Sequence, residues 1–323
     1  MPAVRLDALA IGDAILDIVT PPIAPGLGDR QSHVDRFFHL PGGNATNFAL
    51  AFAALGGRTG FIGCVGRDWA GTILRDAYRH GRVRTHLRIS PSKPSGTTLA
   101  LTFSDGTRHL VTSRGANADL RPSDVPTSWI AAARHVHRAG YWWATRLIGP
   151  PTVRLLRRAR AMGATTSLDV STDPQGWPQH RRDAILSTLP HVNTFFGNEE
   201  EVMRIADRGP LEEAAQALLR SGVREVIVHQ GSHGATVFTK TEVVSDPAVP
   251  VAPLNPTGCG DVFNAGYIRA AMAGADVVHR LRLANAAAAL HLENIAKPYP
   301  TLRDLRSRLN VSLPVDRRGR VRR

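Results

Sequence analysis

Short, nearly continuous apolar runs alternate along this chain with longer stretches whose apolar positions recur every three to four residues. The short runs are bounded by turn residues and predict buried strands. They are LDALAIGDAILDIV (6–19), read as one opening strand, then TGFIGCVG (59–66), HVHRAGYW (135–142), TTSLDVS (165–171), TFFGN (194–198), REVIVHQG (224–231) and GATVFT (234–239). Helical spacing occupies 44–56, 70–81, 150–163 and 211–222, together with a segment that opens at Gly258 and stops at Gly274. Strand, helix, strand in repeated order predicts an α/β fold, with a mostly parallel sheet covered by helices on both faces. One region breaks that rhythm. SGTTLALTFSDGTRHLVTSRGAN (95–117) reads as two alternating strands joined at Asp105-Gly106, a hairpin signal.

A hairpin inserted into an α/β chain is suited to a lid or a dimerisation flap, and the loop-rich stretch after the first strand could supply the rest of it. The expected organisation is one α/β domain over about 1–312, a lid built from about 15–40 and 93–117, and a basic tail over 313–323, expected to be disordered.

Composition narrows the partners. No apolar run approaches the roughly 20 residues of a membrane-spanning helix, and Asp7, Asp13 and Asp17 make the first residues a poor signal peptide. Cys64 and Cys259 are the only cysteines, which implies no disulfide framework and fits a cytoplasmic location. Thirteen histidines show no paired metal-ligand spacing, so zinc is not expected. The net charge of +13 (40 basic minus 27 acidic residues) favours anionic ligands. Much of it sits in 154–163 and in DRRGRVRR (316–323). No recognition helix, zinc finger or basic stripe interleaved with aromatics makes nucleic acid the expected partner.

The candidate chemistry lies in PLNPTGCGDVFNAGYI (253–268). A helix opening near Gly258 aims its unpaired N–H groups and the positive end of its dipole at whatever lies in front of it. Gly258 and Gly260 would let an anion approach the backbone of 258–260 closely, which makes a phosphate cradle. Asp261 in the first turn could then take a hydroxyl proton. The plainer reading is that Thr257 caps the helix and Asp261 complements its dipole. Residues alone leave both open. Phe263 stands where a dinucleotide-binding fingerprint needs its third glycine, and no G-x-x-x-x-G-K-[S/T] loop occurs.

The tetrad GCGD and its apolar helix resemble the D-T-x-G-A-G-D signature of the ribokinase-like (PfkB) family of sugar and nucleoside kinases. Four further stretches match in order: PGGNATNFALAFAALG (41–56), GCVGRDWAG (63–71), GNEEE (197–201) with Asn198 and Glu201 at N-x-x-E spacing, and HQGSHGATVF (229–238). The resemblance covers about residues 5–300. It implies a ribokinase-like fold with a small β-lid, and transfer of the γ-phosphoryl group of ATP to a hydroxyl of a small sugar, with Mg2+. It implies Asp261 as base and Gly258, Cys259 and Gly260 as anion hole. Asp17, Gly42, Gly43, Asn44 and Asn47 would line the sugar site. Asn198 and Glu201 would act near the Mg2+ and phosphates, Glu201 indirectly. Gly231, Ser232 and Gly234 would shape the nucleotide site, with Asn285 near the base. A homodimer through the lid is a further implication.

The alternatives are a nucleoside kinase of the adenosine or cytidine type and a non-catalytic sugar- or nucleotide-binding regulator. Several positions depart from the family pattern. Asn255 replaces the usual Asp, which puts K+ activation in doubt. Cys259 replaces the common Ala, and a thiol at a helix N-terminus tends to ionise easily unless it is buried and inert. Asp173 stands near the place of an Arg found in some sugar kinases, which disfavours a keto-deoxy sugar acid. Ile15 replaces the Asn of ribokinases proper. Tyr141-Trp142-Trp143 could stack on a base or sugar, or pack beneath a helix.

Overall fold

The computed structural model describes residues 5–26, 28, 31–105, 107–252, 257–294 and 299–309. The first half runs β1 (Leu6–Ile11), β2 (Ile15–Val19), β3 (Phe38–Gly42), α1 (Asn44–Ala54), β4 (Thr59–Val65), α2 (Trp69–His80), β5 (Arg84–Ile89), β6 (Gly96–Thr102), β7 (Arg108–Ser113), α3 (Thr127–Ala132), β8 (Ala133–Arg138) and α4 (Pro150–Ala161). The second half runs β9 (Thr165–Asp169), α5 (Gln179–Leu186), β10 (Thr194–Asn198), α6 (Glu199–Ala206), α7 (Leu211–Arg220), β11 (Glu225–His229), β12 (Ala235–Phe238), β13 (Val243–Asp246), α8 (Cys259–Met272), α9 (Val277–Glu293) and α10 (Leu302–Leu309).

Nine strands form one sheet in the order β13-β12-β11-β10-β9-β8-β1-β4-β5. Its strands from β5 to β11 are parallel, and β12 and β13 add an antiparallel edge. Buried strands of this kind need cover on both faces. Helices α3 to α7 supply one core, around Leu156, Phe195 and Leu218. Helices α1, α2, α8, α9 and α10 supply the other, around Phe48, Phe196 and Tyr267. Among the described residues, no helix is long and apolar enough to cross a membrane.

The opening apolar run is not one strand. It breaks at Gly12-Asp13, and its halves join different sheets. A Cβ on Gly12 would collide with the Ala139 carbonyl, and the buried Asp13 side chain turns toward α1. Helix α9 escapes the periodicity because Leu281, Leu283, Ala284, Asn285, Ala286 and Ala287 are all buried, leaving no amphipathic stripe to read. Strands β3, β5 and β13 and helices α3, α5, α6 and α10 are likewise not predicted by the pattern.

The small second sheet has the order β3-β2-β6-β7. The expected hairpin is β6–β7, paired from Thr97↔Ser113 to Thr102↔Arg108, and β2 joins it in parallel through Asp17↔Thr98. Gly106, Asn255 and the tail 313–323 lie outside the described residues.

Candidate active site

Helix α8 opens at Gly258 with φ +84°, a left-handed conformation, and a Cβ there would lie 2.5 Å from the Asn47 amide nitrogen. Only glycine suits that place. Gly258, Cys259 and Gly260, at the start of α8, line a cavity of about 400 Å3. Asp261 lines it, one side chain in from the helix end, and is 3% exposed.

Two amides from α1 clamp that carboxylate. Asn44 Nδ2 donates to Oδ1 at 3.0 Å and Asn47 Nδ2 donates to Oδ2 at 3.0 Å. Burial drives the Asp261 pKa up to about 7; the Asn47 and Asn44 amides pull it down, and the charges of Asp13 and Glu201 push it further up. Asn44 and Asn47 line the cavity, with their amides turned on Asp261.

Asp13, which the motifs do not single out, holds α1 in place. Its Oδ2 accepts from Asn44 N–H at 3.1 Å and its Oδ1 from Ala45 N–H at 2.9 Å, so it caps a helix that has no cap of its own at Gly43. Asp17 lies beside it on β2. Burial lifts Asp17 to about 7, opposed by the Thr98 hydroxyl and reinforced by Asp13 and Asp261. Gly42 sits directly behind it, where a Cβ would fall on the Asp17 carboxylate.

The opposite wall carries two further acids. Asn198 and Glu201 form a capping box on α6: Glu201 N–H donates to Asn198 Oδ1 at 2.8 Å, and Asn198 N–H donates to Glu201 Oε2 at 2.9 Å. The Thr172 hydroxyl donates to Glu201 Oε1 at 3.0 Å. Asp169, at the end of β9, accepts from Asn264 Nδ2 at 2.7 Å and from Ser171 N–H at 3.0 Å. Because that amide donates to Asp169, its Oδ1 must accept from His229 Nε2, 2.9 Å away. Burial holds His229 neutral, at about 4. Burial raises Asp169 well above the carboxylate range, helped by the charges of Asp261 and Glu201.

Among the described residues, no three His, Cys, Asp or Glu side chains converge closely enough to hold a metal by themselves. The cavity nevertheless gathers Asp13, Asp17, Asp169, Glu201 and Asp261. Asp169 and Glu201 suit an ion such as Mg2+, which takes few protein carboxylates and completes its shell with water and phosphate.

One cavity thus unites Asp17, Gly43, Asn44, Asn47, Asn198, Glu201, Gly258, Cys259, Gly260 and Asp261. Gly231, Ser232 and Gly234 lie outside it, in the turn between β11 and β12. Asn285 also lies outside, donating to the Asp246 side chain at 2.9 Å and to the Asp246 and Pro247 carbonyls. A Cβ on Gly234 would strike the Asp246 carbonyl, so this glycine and Asn285 pack against the same segment.

Burial pushes the Cys259 thiol up, which favours the buried, inert reading of this cysteine over the easily ionised one. Tyr141 and Trp142 are core residues, while Trp143 is half-buried and lines the cavity. Arg108 of β7 was not foreseen; its guanidinium donates to Thr257 Oγ1 at 3.1 Å, across the mouth of the site. The one sequence signal for Asp169 is its place at the carboxyl end of a parallel strand, where sites of open α/β sheets gather.

The chain resembles several known proteins along most of its length. The chain is 27% identical over 291 residues to a nucleoside kinase of Methanothermobacter thermautotrophicus, covering 89% of this chain and 90% of the other. It is 26% identical over 282 residues to the ribokinase of Bacillus subtilis, covering 87% and 90%. Its fold matches that of an E. coli protein of the ribokinase II type solved with ATP and Mg2+, with a TM-score of 0.82 at 22% identity over 94% of this chain and 99% of that one. With the pfkB family carbohydrate kinase model matching residues 6–297, the chain belongs to the PfkB family, phosphotransferases that act on an alcohol group.

Proposed function

We propose that this chain transfers the γ-phosphoryl group of ATP to a hydroxyl of a small sugar, with Asp261 as base and the backbone of Gly258, Cys259 and Gly260 as anion hole. The observation that carries this is the placement of a buried carboxylate in the first turn of a helix whose first residues line the same cavity, and burial pushes its pKa up to about 7. A base poised near neutrality takes the hydroxyl proton as the oxygen attacks, while aligned amides hold the transferring group.

The acceptor would lie against Asp17, Thr98 and the α1 end of the cavity. Asn198 would stand beside the phosphates. Glu201 and Asp169 would hold Mg2+ through its water shell; the ion would neutralise charge on the phosphate oxygens. Gly231, Ser232, Gly234 and Asn285 would form the shelf for the nucleotide. The small sheet would close over the acceptor as a lid. With Asn255 in place of the family's Asp, K+ in place of Na+ should change turnover little; several-fold stimulation would contradict that.

A second reading, a nucleoside acceptor, is favoured by Trp143 lining the cavity, since an indole face can stack on a base. The test is an acceptor panel: purified chain, MgATP, and pentoses, hexoses, inositols and nucleosides, with ADP release recorded. Turnover of a sugar supports the first reading and turnover of nucleosides alone the second. ADP release with no member of the panel would count against both.

A further inference from the structure

We infer that Tyr299 is a positioning residue that orients Asn47, and through it the carboxylate of Asp261. The inference rests on the assignment of Asp261 as base. Tyr299 lies far from the motif segments in sequence, but its hydroxyl is 2.8 Å from Asn47 Oδ1 and 3.1 Å from the Pro41 carbonyl oxygen. A carbonyl can only accept, and so can an ionised carboxylate. With Asp261 ionised, Asn47 therefore turns its NH2 to Asp261 and its oxygen to Tyr299, and the phenol must donate. Burial and the nearby charges of Asp17 and Asp261 keep that phenol protonated.

The chain of contacts is Tyr299 O–H to Asn47 Oδ1, then Asn47 Nδ2 to Asp261 Oδ2 at 3.0 Å. Asn47 is itself 4% exposed, so water is a poor substitute for the missing partner. Asn44 needs no such help, because it donates from the first residue of α1, whose backbone is already fixed by Asp13. Tyr299 also spans two parts of the molecule. Pro41 belongs to β3 of the small sheet, and Asn47 to α1 beneath the large one. The phenol has one hydrogen and both neighbours are acceptors, so it donates to Asn47 Oδ1, the nearer at 2.8 Å, and shares that hydrogen with the Pro41 carbonyl oxygen at 3.1 Å.

The test is steady-state kinetics of Tyr299→Phe, Asn47→Ala and the double variant, using the best acceptor of the panel and MgATP. Phenylalanine keeps the ring that lies 6.2 Å from His291, centroid to centroid, and unfolding of each variant is followed by circular dichroism. Losing one hydrogen bond should lower kcat about three- to tenfold, with both KM values within about twofold. In the Asn47→Ala background the same change should then have no further effect on kcat, because the partner is gone. Additive losses in the double variant, an effect on KM alone, or an unchanged kcat for Tyr299→Phe would each overturn the inference. If Asp261→Asn is dead while Tyr299→Phe is normal, only this inference fails; if Asp261→Asn is active, the assignment of the base fails with it.

Discussion

Asp261 concentrates the problem at the scale of the residue, because the proposed base is buried and would have to be ionised to act. Replacing it by Asn keeps the shape and removes the proton acceptor, which should lower kcat by roughly 10²–10⁴. Stability should move the other way with pH. The folded pKa of about 7 lies above the ordinary 3.8, so the protonated form is favoured by folding. That contribution is fully present below about pH 4 and is lost as pH rises through 7. The melting temperature of Asp261→Asn relative to the parent should therefore rise between pH 5 and pH 8; a difference that stays flat or falls would deny the burial argument. Activity has the matching dependence. Asp17 and Asp261 both sit near 7 and repel each other, so they titrate as a coupled set. Repulsion separates the two proton losses, so the kcat/KM of the free enzyme should fall below about pH 7 with a slope near one proton. A flat profile down to pH 5.5 would exclude an Asp261 base.

At the scale of the element, the start of α8 does most of the positioning, and Gly258 tests it. An alanine there adopts a left-handed conformation at a cost of roughly 1–2 kcal/mol, and its Cβ presses on the Asn47 amide. Gly274, past the other end of α8, has φ +80° with nothing within 4 Å of a Cβ. Both substitutions should lower the melting temperature, Gly258→Ala by more because of that contact, but only Gly258→Ala should lower kcat, by at least about tenfold. Equal kinetics in the two variants would remove the helix terminus from the mechanism. This element was the most legible part of the sequence. Its glycines, acid and apolar face are contiguous in the sequence. The large sheet was legible for a similar reason, since buried strands announce themselves as short apolar runs. What stayed hidden depends on distant chain segments meeting. Asp13 caps a helix thirty residues on, Asn264 links Asp169 to His229, and Tyr299 reaches Asn47 across most of the chain. The break at Gly12-Asp13 was hidden because both halves of the run are equally apolar.

At the scale of the whole molecule, the small sheet brings charge to a site that has too much of one sign. Among the described residues lining the cavity, five are acids and Arg108 alone carries a permanent positive charge. It stands on β7, exposed, with its guanidinium on Thr257, next to the start of α8. An arginine there has two possible duties: to hold the acceptor, or to neutralise the phosphoryl group in flight. Its contact lies at the helix terminus, where the phosphate would arrive, which favours the second. A planar guanidinium can grip two phosphate oxygens at once, whereas an ammonium ion cannot. Arg108→Ala should therefore lower kcat by roughly 10²-fold and leave the acceptor KM within a few-fold, and Arg108→Lys should recover little. A large rise in acceptor KM at unchanged kcat would instead give the residue to the acceptor. Because Arg108 rides on the small sheet, the same experiment distinguishes two roles for that sheet. A kcat effect would mean that the sheet supplies part of the catalytic site, and a KM effect that it only retains the bound molecule.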